Sequence, residues 1–154
     1  MQEHLPSRRH SLPELCTFGA LALADLIRRR EASALEVMET YLGHIEQINP
    51  VVNALISLRS RTALLREARQ ADEAVARGEV LGPLHGIPQA IKDLSLTRGL
   101  LTTFGSPLFA DFVPDQDAIV VARMRAAGAL IIGKTNLPEY GYGSNTYNPL
   151  FGLT

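Results

Sequence analysis

The sequence predicts an α/β chain in which N-terminal helices are followed by the first strands of a sheet. Three observations carry this. Up to Arg77, apolar residues recur at helical spacing in three runs separated by turn residues. At Gly82 the texture changes to a turn-rich stretch, Gly82-Pro83-Leu84-His85-Gly86-Ile87-Pro88, which leads into a short apolar run. Later, a helical run closed by Gly128 is followed at once by Ala129-Leu130-Ile131-Ile132. A helix followed directly by an apolar strand favours a parallel layer.

Residues 1–12 read as a polar arm. Glu3, Arg8 and Arg9 with no apolar core make it unlike a signal peptide. Residues 13–80 form a helical segment. Its first helix has Leu21, Leu23, Leu26 and Ile27 on its apolar side and Arg28-Arg29-Arg30 at its end, where the helix dipole favours cations. Ser33-Ala34-Leu35-Glu36 is a capping-box pattern that opens the second helix, with Leu35, Val37, Met38, Tyr41, Leu42 and Ile45 as its buried stripe. Asn49-Pro50 is expected to end it. Val51 to Leu58 suit a short extended segment. Ser60 to Arg77 predict a third helix with a narrow face of Leu64, Leu65, Ala68, Ala71, Ala74 and Val75, stopped by Gly78.

Residues 81–154 form the α/β part. A strand is expected over 88–94 and a loop over Gly99 to Ser106. Pro114 and Asp117 precede a helix with Ile119, Val120, Val121 and Met124 on its apolar side, and a second strand is expected over 129–133. Asn136-Leu137-Pro138 opens another segment, and Gly141 to Thr146 is a polar loop. There is no internal repeat.

Bulk properties exclude several classes. The chain, 154 residues long, is one domain or part of one. A net charge of −1 gives no general attraction for nucleic acid or anionic membrane. The run Phe18 to Ile27 is too short to span a bilayer and contains Asp25. A single cysteine, Cys16, excludes an internal disulfide and reads as a small buried hydrophobe. The histidines at 4, 10, 44 and 85 lack metal-ligand spacing, and His85 reads as structural. No metal or organic cofactor is implied. The expected compartment is the cytoplasm.

The chain has 13 Arg and two Lys, Lys92 and Lys134. A lysine in such a chain suggests a place where arginine would not serve, because an apolar site can take a proton from Lys but not from Arg. Lys92 sits in the apolar run Ile87 to Leu94. Two readings stay open for it: an amine that shares its proton and acts as a base, or a side chain that reaches a carboxylate such as Asp93.

Gly128-Ala129-Leu130-Ile131-Ile132-Gly133-Lys134-Thr135 satisfies the pattern of a phosphate-binding loop. That loop needs a strand before the first glycine and a helix after the Lys-Thr. Here the order is inverted and the middle residues are themselves the strand. The pattern is rejected, and Lys134 reads as a structural cation.

Taken together, Gly82-Pro83-Leu84-His85-Gly86-Ile87-Pro88, Ile91-Lys92-Asp93, Gly99 with Thr102-Thr103-Phe104-Gly105-Ser106, Pro114, Asp117, Ala127-Gly128-Ala129, Gly133-Lys134-Thr135-Asn136 and Asn148-Pro149-Leu150-Phe151-Gly152 resemble the amidase signature family. Leu26, Glu36, Tyr41, Ile45, Asn49, Ala68 and Asp72 match the helical opening of that family more loosely. The resemblance implies a mixed α/β/α sandwich sheet of which this chain holds the first strands. It implies that Lys92 is the base of a serine, cis-serine, lysine triad that forms an acyl-enzyme from a small-molecule amide. It also implies that the loop Gly141, Tyr142, Gly143, Ser144 lines an acyl pocket. The Gly/Ser-rich signature that carries the nucleophile would begin after Gly152, past the residues present. Ser106 and Ser144 are not the nucleophile by this match, and Ser106 reads as a loop-capping serine.

The expectation is therefore the N-terminal portion of an amidase, inactive by itself. An amidotransferase subunit that releases ammonia from glutamine, and a non-catalytic binding or assembly module, are the alternatives. Strands 88–94 and 129–133 are expected to have unpaired edges, so self-association through them or through the N-terminal helices is expected too.

Overall fold

The structure is a computed structural model that describes residues 12–79 and 82–154. The polar arm, apart from Leu12, lies outside the described residues. Helix α1, Ala20–Arg29, buries Leu23 and Ile27, which are one turn apart. Leu21, expected on the same side, is 82% exposed. Two positions before Leu23 is more than half a turn around the helix.

The capping box forms as the sequence requires. The Ser33 hydroxyl accepts from the Glu36 amide at 3.0 Å, and the Glu36 carboxylate accepts from the Ser33 amide at 2.8 Å. It opens α2, Ala34–Val52, which buries Ala34, Val37, Met38 and Leu42. The helix runs through Pro50 instead of ending at Asn49-Pro50. In the last turn the proline forfeits one hydrogen bond, and the residue itself is exposed. The helix stops at Asn53, in the left-handed region with φ 49°, whose amide donates to the Asn49 carbonyl at 2.7 Å. The Asn49 side chain then accepts from the Ala54 and Leu55 amides.

Helix α3, Arg61–Ala76, buries Leu64, Ala68, Ala71 and Val75 against α2. Two long-range caps tie the helices together. The Asp72 carboxylate accepts from the Ala34 and Leu35 amides at 2.7 and 3.1 Å, serving the start of α2 from the middle of α3. Arg30 donates to the Val75 and Ala76 carbonyls at the end of α3.

Strand β1, Pro88–Lys92, runs parallel to β2, Leu130–Thr135, through the crossover helix α4, Ile119–Ala126. The register shifts between Gln89 and Ala90, where Ile132 is the extra residue of β2. A one-residue slip turns side chains to the other face. After it, Ile91 lies beside Lys134 and Lys92 beside Thr135, on opposite faces of the sheet. Ile87 and Ile132 join the core of α1–α3 on one face. Ile91, Ile131, Ala129 and Val121 of α4 form a second core on the other. The strands thus lie between two helical layers.

The expected open edge of the second strand is not there. Residues 54–59 run antiparallel along β2, with Ile56 donating to the Lys134 carbonyl, Lys134 to Ser57 and Arg59 to Ile132. These are most of the residues that the sequence suited for an extended segment. Gly133 permits the close approach, since a Cβ there would lie 2.5 Å from the Ser57 carbonyl oxygen. Within this sheet, β1 keeps an edge with no ladder partner among the described residues.

Helix α4 also departs from expectation. Val121 is buried, but Ile119 is 72% exposed and Val120 is exposed as well. They face away from the sheet and, with Leu84, Met124 and Ala127, wall a shallow cleft of about 470 Å³. A short hairpin, β3 Tyr147–Asn148 and β4 Gly152–Leu153, follows β2. Among the described residues no helix is long and apolar enough to cross a membrane.

Candidate active site at the carboxyl edge of the parallel strands

Lys92 is the last residue of β1, at the carboxyl edge where open α/β sheets bind ligands. Its amine donates to the Asn136 carbonyl, one residue beyond the end of β2, at 3.2 Å. The expected burial in an apolar strand is not found. Alternation along β1 turns Ile91 and Asp93 inward and leaves Lys92 exposed, beyond the reach of the helices that cover Ala90. Nor does Lys92 reach Asp93, which faces the other way. Lys134 cannot repel it closely from the opposite face.

The buried lysine is Lys134, fully shielded from solvent. Its amine donates to the Ser95 carbonyl and to the Thr97 and Thr102 hydroxyls at 3.0 and 3.1 Å, with the Asp93 carboxylate at 3.9 Å. Burial lowers its pKa to about 8, opposed by Asp93 and Asp117. Asp93 accepts from the Thr103 amide and, at 2.6 Å, from the Thr103 hydroxyl. Burial pushes its carboxyl up, against the pull of Thr103, Lys134 and Gly105. This buried cluster holds the loop that leaves Lys92. The reading of Lys134 as a structural cation is met, although the cation lies inside the fold and not merely at a strand end.

The loop Gly141, Tyr142, Gly143, Ser144 is exposed. Its start lies against Leu94, since a Cβ on Gly141 would sit 3.5 Å from the Leu94 side chain. Tyr140, at φ 52°, anchors the loop by donating from its amide to the Phe104 carbonyl at 2.7 Å. Its ring meets Phe109 edge-on. The Tyr140 hydroxyl donates to Ser106 at 3.1 Å. Ser106 is buried and caps no turn with its side chain, contrary to the expectation. The structure thus brings the loop to the edge that Lys92 occupies, without a direct bond between them. Three clefts of about 380 to 470 Å³ lie elsewhere, along α1, α3 and α4.

His85 is buried, with its ring nitrogen 2.9 Å from the Ala71 carbonyl, as a structural histidine should be. Cys16 is half-buried, and burial raises its thiol pKa, which opposes nucleophilic use. The residues that sequence reasoning left without a role are Asn136 and Asn148. Both are buried and both stand in the spaced motifs, but an asparagine after a strand or before a proline usually reads as a turn former.

Comparison with known proteins identifies the family. A family model described as Amidase matches residues 36–154. A glutamyl-tRNA(Gln) amidotransferase subunit of Salinispora tropica is 42% identical over 143 residues, covering 93% of this chain and 29% of that protein. The corresponding protein of Acidothermus cellulolyticus, of the same name, is 44% identical, covering 93% and 28%. Among solved structures, the peptide amidase of Stenotrophomonas maltophilia superposes with a TM-score of 0.81 at 32% identity, covering 92% of this chain and 30% of that one. Fatty acid amide hydrolase reaches 0.84 at 23% identity, covering 91% and 25%, a likeness of fold alone. The chain spans under a third of the length of the curated relatives it matches.

Proposed function

This chain belongs to the amidase family, and on that footing we propose that it is the N-terminal portion of an enzyme that hydrolyses carboxylic amides through a serine acyl-enzyme, with Lys92 as the base. The observation that carries the reading is the placement of the Lys92 amine at the carboxyl edge of β1, fixed on the Asn136 carbonyl. The same residue holds the segment that ends at Thr154. In this reading the sequence after Thr154 continues from the segment that Asn136 holds.

In the proposed reaction Lys92 accepts the proton of the nucleophilic serine through a bridging serine. The serine oxygen bonds to the amide carbonyl carbon, the amine leaves with a proton, and water then splits the ester. Both hydroxyls and the oxyanion donors come from sequence beyond these 154 residues. An amine shares protons near neutrality only when it is desolvated or set beside another cation. Lys92 is exposed in these residues, so in this reading its covering also comes from that sequence. The loop Gly141 to Ser144 lines the acyl side of the pocket in this reading, and the substrate is a small-molecule amide met in the cytoplasm.

The test is to assay amide hydrolysis by the 154-residue chain and by the product of a reading frame extended past Thr154. Activity is expected only in the longer protein and should fall by about 10² to 10⁴ on Lys92→Ala. Full activity of that variant would remove Lys92 from the mechanism, and hydrolysis by the short chain would overturn its inactivity.

A second reading has a specific observation behind it. Relatives at 38–44% identity carry the name of an amidotransferase subunit, whereas the peptide amidase is 32% identical. On that reading the amide is glutamine and the protein works with partner chains. Glutamine turnover that appears only when partner subunits are added would favour it.

A further inference from the structure

We infer that Asn148 and Asn136 form a clasp that positions the Lys92 amine, a role that rests for its catalytic meaning on the reading of Lys92 as the base. The two side chains are 1% and 4% exposed, and every amide function of each is used. Asn148 Nδ2 donates to Asn136 Oδ1 at 2.7 Å and to the Leu137 carbonyl at 2.9 Å. Asn148 Oδ1 accepts from the Leu150 and Phe151 amides at 3.0 and 2.8 Å. Asn136 Oδ1 also accepts from the Leu137 amide at 3.0 Å. Asn136 Nδ2 donates to Thr154 Oγ1 at 2.9 Å and to the Gly152 carbonyl at 3.3 Å, and the Thr154 hydroxyl donates onward to the Asn53 carbonyl at 2.7 Å.

One residue therefore holds two things. The side chain of Asn136 fixes the hairpin and Thr154, and its backbone carbonyl fixes the amine of Lys92. A buried network with every member satisfied is stiff. A carbonyl accepts but cannot donate, so it orients the amine without exchanging a proton with it. The clasp sets the distance between that amine and the chain leaving Thr154, where the proposed reaction needs its hydroxyls.

The presence of two lysines makes the test direct. Protein labelled with ¹³C at lysine Cε gives two side-chain signals, and Lys92→Arg identifies one of them. In Asn148→Ser the Lys92 signal should move toward that of free lysine while the Lys134 signal, from the opposite face, stays. A still Lys92 signal together with faster amide exchange at Leu150 and Phe151 would overturn the inference, because the clasp would then hold only the hairpin. Should Asn148→Ser unfold, both signals collapse and Thr154→Ala decides, since that residue is exposed. A smaller Lys92 shift in the same direction supports the clasp, and no shift overturns it. In the longer protein Asn148→Ser should lower kcat by about 10- to 100-fold with KM little changed. An unchanged kcat overturns the positioning role. Hydrolysis that survives Lys92→Arg would instead sink the base, leaving the spectroscopic result intact.

Discussion

At the scale of single residues the two lysines exchange environments relative to expectation. Lys134 is the buried one, because the extra residue Ile132 turns it to the face of Asp93, Thr97 and Thr102. Its lowered pKa makes stability depend on pH. The unfolded chain keeps the proton up to near the ordinary 10.5, while the folded chain releases it near 8. Between these values the unfolded state binds more protons, so stability rises with pH, and below 8 the cost of burying the charge is fully present. Asp93 acts in the opposite sense in acid, its cost being relieved as pH falls. Urea unfolding should show a gain from pH 7 to 9.5 that Lys134→Met lacks, and that variant should lose about 3–5 kcal/mol at pH 7. A parallel pH dependence in both proteins would refute the assignment. Gly133→Ala drives a Cβ into the Ser57 carbonyl and should cost about 1–3 kcal/mol in the same experiment. Neither substitution should change ATP affinity, because the amides of 130–135 belong to a strand.

At the scale of elements, helix starts were legible because their signals are local. Ser33 with Glu36 and Ser60 mark α2 and α3 within a few residues, and the structure uses both. The end of α2 was not, since a proline in the last turn breaks one bond and not the helix. Asp72 stands out in the sequence only as one member of a loose pattern. Its use as a cap for α2, from 37 and 38 residues away, cannot be read from spacing. Asp72→Ala should lower stability by about 1–2 kcal/mol, with Asp72→Asn in between. Equal stability of all three proteins would show that the α2 amides find other acceptors.

For the whole molecule, the unpaired outer edge of β1 and the apolar surface of Ile119 and Val120 are the features that favour association. Sedimentation of the 154-residue chain should show mass rising with concentration, and Ile119→Lys with Val120→Glu should reduce it. A monomer at all concentrations would mean that these surfaces are tolerated. The closure of β2 by residues 54–59 makes the chain less exposed than its strand count suggested.

The sequence by itself determined the three N-terminal helices, the two parallel strands with the helix between them, the α/β order and the family, because periodicity, caps and a long series of motifs are written locally and in order; the closing hairpin carried no such signal. It also placed Lys92 at a strand and rejected the phosphate loop by order alone. Tertiary structure decided which lysine is buried, which edge of the sheet is open and what the two asparagines hold. A bulge sets the first, a distant segment the second and side chains that meet across 12 residues the third. Each depends on residues brought together by the fold, and spacing along the chain carries no record of that.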